Sequence, residues 1–116
     1  MIRLALAAAL AASFAAPALA ADGEQLFLMQ CKLCHGPAGG GTAMGPSLAG
    51  VAGGKIAAGT FAYSPALKAK EGTWTDANLD AFLTSPAAFA PGTRMFATVP
   101  SEENRAALTA YLKTLK

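Results

Sequence analysis

Two cysteines and a histidine share one five-residue run, Cys31-Lys32-Leu33-Cys34-His35, and the 116-residue chain has no other Cys or His. C-x-x-C-H is the pattern through which haem is attached covalently. Its spacing has a physical reason. Cysteines three apart share one helical turn, so two thiols can reach two vinyl groups of a single porphyrin. The next residue then lies under the iron and offers a ring nitrogen, held there by both thioethers. Three other chemistries use a cysteine pair. A redox-active dithiol wants a β-α-β setting, which is missing here. A zinc site needs three or four protein ligands, and no further Cys or His exists. A structural disulfide remains, but the only histidine standing directly after C-x-x-C favours one covalent haem c with its iron.

The sixth iron position needs its own ligand, and the chain has four methionines. Met1 belongs to an N-terminal leader. Met29 lies two residues before Cys31 on the attachment helix, so it cannot cross to the other haem face. Met44 sits in a glycine-rich loop. Met95 ends Pro91-Gly92-Thr93-Arg94-Met95, a turn-forming segment between two helices. Either of the last two reads equally as an ordinary gap-filling methionine.

The elements that must position these residues are helical. Asp22 is a fitting N-cap for a first helix over about 22–34, with Leu26, Phe27, Cys31 and Cys34 on neighbouring turns. Residues 36–45 form a glycine-rich loop, and 50–59 continue the irregular stretch. Ser64-Pro65 opens a short helix that Gly72 ends. Thr75-Asp76 opens another, with Leu79, Phe82 and Leu83 at i, i+3, i+4 and a stop before Pro86. Ser101-Glu102-Glu103 opens the last: a hydroxyl cap with acids where they complement the helix dipole. Leu108, Tyr111, Leu112 and Leu115 form its apolar stripe, and Lys113 and Lys116 lie at its C-terminal end. No alternating apolar stretch suggests a sheet, so the expected class is all-α, with several short helices and long loops around one haem.

Residues 1–20 stand apart. Met1-Ile2-Arg3 supplies a positive start, an Ala/Leu-rich run follows to Leu19, and Ala18-Leu19-Ala20 is an A-x-A cleavage pattern. Together they read as a secretory signal, leaving 21–116 as one domain in the periplasm. Ser13, Pro17 and the alanine content make a poor membrane anchor, and 22–116 contain no second apolar run, so no stable membrane insertion is expected after cleavage. The 53% hydrophobic content owes much to alanine and to the leader. The remaining chain, roughly 95 residues, is of a size at which a protein-only core is marginal. Without Arg3 the chain carries eight Lys/Arg against seven Asp/Glu, a net +1, and two haem propionates bring this to about −1. No basic cluster points to nucleic acid.

In these segments the chain resembles class I c-type cytochromes, the group of mitochondrial cytochrome c and bacterial cytochrome c2. The likeness runs in order along nearly the whole domain: Gly23 and Phe27, Cys31–His35, Gly45-Pro46-Ser47-Leu48, Tyr63-Ser64, Gly72-Thr73-Trp74, Leu79, Pro91–Met95, and Leu108 with Ala110-Tyr111-Leu112. The resemblance implies Met95, rather than Met44, as the second axial ligand. It implies that the Pro46 carbonyl accepts the His35 N–H and that Tyr63 and Trp74 hydrogen-bond a haem propionate. Gly23 and Phe27 would meet Leu108 and Tyr111 where the terminal helices cross. Leu48, Leu79, Phe82, Leu83 and Tyr111 would form an apolar shell. The chain departs from the pattern in five places. Phe96 follows Met95 directly, where one residue usually intervenes. Phe82 replaces a tyrosine that donates to the methionine sulfur, Leu67 an asparagine and Gly54 an arginine. Lysines around the haem edge are few. The implied function is a monomeric, soluble one-electron carrier, not an enzyme, meeting donor and acceptor redox proteins in transient contact. Its alternatives are a dedicated subunit of one periplasmic oxidoreductase, or a peroxidase or gas binder should Met95 not ligate.

Overall fold

Among the described residues, side-chain oxygens open five of the six helices. The computed structural model describes residues 22–116; the leader and its A-x-A site lie outside the described residues. The helices are α1 (Gly23–Gln30), α2 (Lys32–His35), α3 (Pro65–Lys68), α4 (Asp76–Thr84), α5 (Pro86–Phe89) and α6 (Glu102–Leu112). Asp22, Ser64, Thr75, Ser85 and Ser101 accept from the free N–H groups of the helices that follow them. A cap of this kind contributes about 1 kcal/mol, which matters to helices too short to persist alone. Among the described residues there is no strand, only an isolated bridge between Lys55 and Thr73.

Three expected bounds shift. The first helix is interrupted: Cys31, at φ −117°, separates α1 from α2. The helix after Ser64-Pro65 stops at Lys68, short of Gly72, because Ala69 already closes the turn. The helix α5 was not expected. Ser85-Pro86 starts it with the same cap and first-turn proline that start α3.

The core forms where α1 crosses α6. Phe27 and Leu108 are almost wholly buried, and the Phe27 ring lies 5.2 Å from that of Tyr111. Burying a side chain of that size contributes roughly 1.5–3 kcal/mol. The crossing is close because residue 23 is glycine. A Cβ there would collide with the Ala107 carbonyl and lie 2.9 Å from Tyr111 Cβ. Helix α4 joins α6 through Arg105, whose Nε donates to Asp80 at 2.7 Å, and through an exposed Lys113–Asp76 pair at 2.9 Å. The exposed pair adds little, under about 1 kcal/mol.

Ala57 is the single non-glycine residue with positive φ, at +56°, among the described residues. Left-handed backbone costs an L side chain about 1–2 kcal/mol, and the freedom of a glycine costs about 0.5–1. Chemical denaturation of the haem-loaded protein should therefore separate two substitutions. Gly23→Ala is expected to lose about 2 kcal/mol by overpacking the helix crossing, whereas Ala57→Gly should gain about 0.5 kcal/mol. A neutral Gly23→Ala would contradict the close approach of the helices.

Candidate functional site

The site begins with an imidazole fixed on one side. His35 closes α2 and is 8% exposed. Its Nδ1 lies 2.9 Å from the Pro46 carbonyl. A carbonyl only accepts, so Nδ1 carries a proton, and in the neutral ring Nε2 is the nitrogen left to ligate. The approach depends on Gly45, where a Cβ would stand 3.1 Å from both Cε1 and Nδ1 of the ring and 2.8 Å from the Cys34 carbonyl. The surrounding loop is pinned to the attachment helix. Gly41 N–H donates to the His35 carbonyl at 2.8 Å, and Thr42 Oγ1 donates to the Cys34 carbonyl at 2.6 Å.

Cys31 and Cys34 are not joined in a disulfide. Burial, with Cys34 beside it, pushes the Cys31 thiol up to about 11. Among the described residues no group of three His, Cys, Asp or Glu is placed to hold a metal ion. Burial of this kind does not oppose a thioether, whose sulfur is neutral.

Both cysteines and His35 line a cavity of about 530 Å³, within the range of cofactor sites, ~300–1,000 Å³. Pro46, Tyr63, Trp74 and Met95 line the same cavity, so these seven residues face one space. Met44 lines it too, but is 64% exposed, while Met95 is half-buried. Met29 is 80% exposed and does not reach it. The cavity fits a large, flat, mostly apolar group. Leu48, Leu67, Leu79, Phe82 and Leu83 supply apolar walls. Polar donors are placed sparingly. Tyr63 Oη accepts from Gly59 N–H at 3.2 Å, which leaves its own O–H to donate. Trp74 is buried against the cavity.

Tyr111 departs from the expected shell. It packs on Phe27 at the helix crossing and does not line the cavity. An aromatic cluster does part of the shaping instead. Phe82, Trp74 and Phe89 meet in pairs at 5.0–5.6 Å, and Lys70 Nζ sits 4.6 Å above the Phe89 ring. Phe89 comes from α5, the helix that was not expected. Arg105 was also missed as a site residue. Besides Asp80, it donates to the Val99 and Pro100 carbonyls at 2.9 Å. Val99 N–H in turn donates to the Leu83 carbonyl at 2.8 Å. These bonds anchor the far end of the segment that carries Met95. In sequence Arg105 is one cation among nine, and nothing marks the carbonyls it will meet.

A small helical fold closed around C-x-x-C-H, with one apolar cavity, defines a monohaem c-type protein. The family model for cytochrome c matches residues 20–116. Cytochrome c of Tetrahymena pyriformis is 42% identical over 97 residues, covering 83% of this chain and 88% of its own length. Cytochrome c-type cyt cy of Rhodobacter capsulatus is 45% identical over 95 residues, of which this chain spans 47% of the relative's length. The solved structure of cytochrome cH from Methylobacterium extorquens is 37% identical with a TM-score of 0.70, covering 82% of this chain and 97% of that one. The chain belongs to the cytochrome c family. It is an electron-transfer protein carrying covalent haem c with its iron, and not an enzyme.

The hold on His35 predicts a pH effect. Gly45→Ala would push the imidazole off Pro46 and weaken the ligand, so protons would displace it from iron at less acidic pH. Acid titration followed by visible absorption should show that transition shifted upward relative to wild type. An unshifted transition would mean that the Gly45 contact does not position His35.

Proposed function

We propose that this chain is an exported, soluble one-electron carrier whose haem iron is held between His35 and Met95. The observation that carries the reading is the shared cavity. Both cysteines, the Nδ1-anchored His35 and a half-buried Met95 line it together. When bound, the haem supplies a one-electron couple between Fe(II) and Fe(III).

The chain's own residues do the rest. The Pro46 carbonyl fixes the His35 tautomer and raises the basicity of Nε2. Met95 contributes a soft, neutral thioether, which favours Fe(II) and raises the potential. Leu48, Leu79, Phe82 and Leu83 exclude water and so disfavour the extra charge of the oxidised state. His35 and Met95, both tethered in the chain, would hold the iron, so its change of oxidation state would need no change of ligand. Phe82 has no hydroxyl to donate to the Met95 sulfur. Tyr63 Oη and Trp74 Nε1 would donate to the propionates. Among the described residues no helix is long and apolar enough to cross a membrane. The processed protein works as a monomer in the periplasm, and its partners are redox proteins in small, transient contact, below about 1,200 Å².

Two results test this reading. Met95→Ala should abolish the iron–sulfur absorption band, admit carbon monoxide and lower the midpoint potential, while Met44→Ala should do none of these. The reverse pattern would assign the ligand to Met44, and a wild type that lacks the band and binds carbon monoxide would favour gas or peroxide chemistry. For export, Edman sequencing of the periplasmic, haem-loaded protein should begin at Ala21. A start at Met1 would make the leader a retained anchor.

A further inference from the structure

Trp74 is the chain's one tryptophan, and its backbone is fixed on both sides. Its N–H donates to the Gly54 carbonyl at 2.7 Å, and its carbonyl accepts from Gly53 N–H at 2.8 Å. These bonds set where the side chain starts but not where the indole comes to rest, because χ2 of a tryptophan is broad. The side chain is buried against the cavity wall. Among the described residues no buried side-chain nitrogen or oxygen lacks a partner. The indole N–H bonds no group of the protein, so it opens on the cavity.

Two rings hold the indole. Phe82 meets it at 5.0 Å and 60°, and Phe89 stacks on it at 5.5 Å and 25°. Both arrangements are favourable for aromatic pairs. Phe82 lines the cavity as well; Phe89 does not, so it backs the indole from the protein side. Phe89 is the one large side chain of α5, whose other residues are a proline and two alanines. That single turn is stiff. Pro86 occupies its first position, Ser85 Oγ accepts from Ala88 N–H at 3.2 Å, and Ala90 N–H donates to the Pro86 carbonyl at 2.8 Å. Lys70 Nζ lies over the Phe89 ring, 4.6 Å from its centroid, a cation–π contact. Lys70 takes part in neither ion pair of the described residues. It stands four residues before Trp74, so one loop touches Phe89 twice, with a cation and with an indole.

We infer that Phe89 and Lys70 are positioning residues for Trp74, holding its indole N–H at the cavity so that it meets a haem propionate. The inference rests on the propionate reading above. A hydrogen bond donated to a carboxylate offsets part of its negative charge. With the indole loose in its place, that charge acts in full on the iron, favours Fe(III) and lowers the potential.

A single tryptophan gives a single indole N–H signal in NMR spectra of the reduced holoprotein. Phe89→Leu keeps an apolar side chain but removes the stacked face. It should speed exchange of the indole N–H with deuterium at least about tenfold, while Leu108 N–H at the helix crossing exchanges as in wild type. The midpoint potential, measured at about pH 8 where a free carboxylate is ionised, should fall. Phe89→Tyr, which keeps the ring, should hold both values at those of wild type. Lys70→Gln should shift exchange and potential in the same direction by less, and Lys70→Arg, which keeps the charge, should not shift them. Should Phe89→Leu fail to load haem, Lys70→Gln carries the comparison. Unchanged exchange and potential overturn the inference. Equal acceleration at Leu108 overturns it too, because Phe89 would then serve stability as a whole. Failure of the propionate reading looks different: Trp74→Phe would leave the potential unchanged, while the indole N–H of Phe89→Leu still exchanged faster.

Discussion

The structure depends on one constraint: a domain of roughly 95 residues closes around a group larger than any side chain. Its helices run from four to eleven residues, lengths that are marginal in isolation. Their apolar faces do not meet one another completely. Leu67 of α3, Leu79 and Leu83 of α4, and Leu108 and Leu112 of α6 are buried, yet all of them line the cavity. The hydrophobic core and the cofactor site are therefore one set of residues. Such a core is close-packed only with the haem in it, which makes cofactor attachment and folding a single problem.

The two sides of the site are held differently. On the His35 side, the proposed attachment at Cys31 and Cys34 would join a fixed imidazole and a loop bonded back to the attachment helix. Nothing there moves without breaking several bonds. On the Met95 side, a loop is tied at its far end by Arg105 and Val99, with the exposed Phe96 between. In the proposed ligation the first side would set where the iron is, and the second how tightly its sixth position is closed, and with it the potential.

Much of this was legible in the sequence because local rules govern it. C-x-x-C-H carries its geometry in its spacing, and Asp22, Ser64, Thr75 and Ser101 act as caps through contacts two or three residues away. What escaped was set by distant contacts or by weak signals. The break at Cys31 interrupts a stretch whose apolar period continues through it. Helix α5 is a single turn, and its Ser85-Pro86 start was read as the stop of the preceding helix. Tyr111 has the spacing of a core residue, but spacing does not say which core, and the helix crossing claims it rather than the cavity. Arg105 gains its role from carbonyls that become neighbours only once the chain is folded.

The claim that haem completes the core is tested most directly without it. Far-UV circular dichroism of the Cys31→Ala/Cys34→Ala chain, expressed without attached haem, reports whether the helices stand alone. The account predicts little helix and no cooperative thermal transition, because the leucines of α3, α4 and α6 would face a space they cannot fill. A helical spectrum that melts cooperatively would contradict it, showing a protein core that closes by itself.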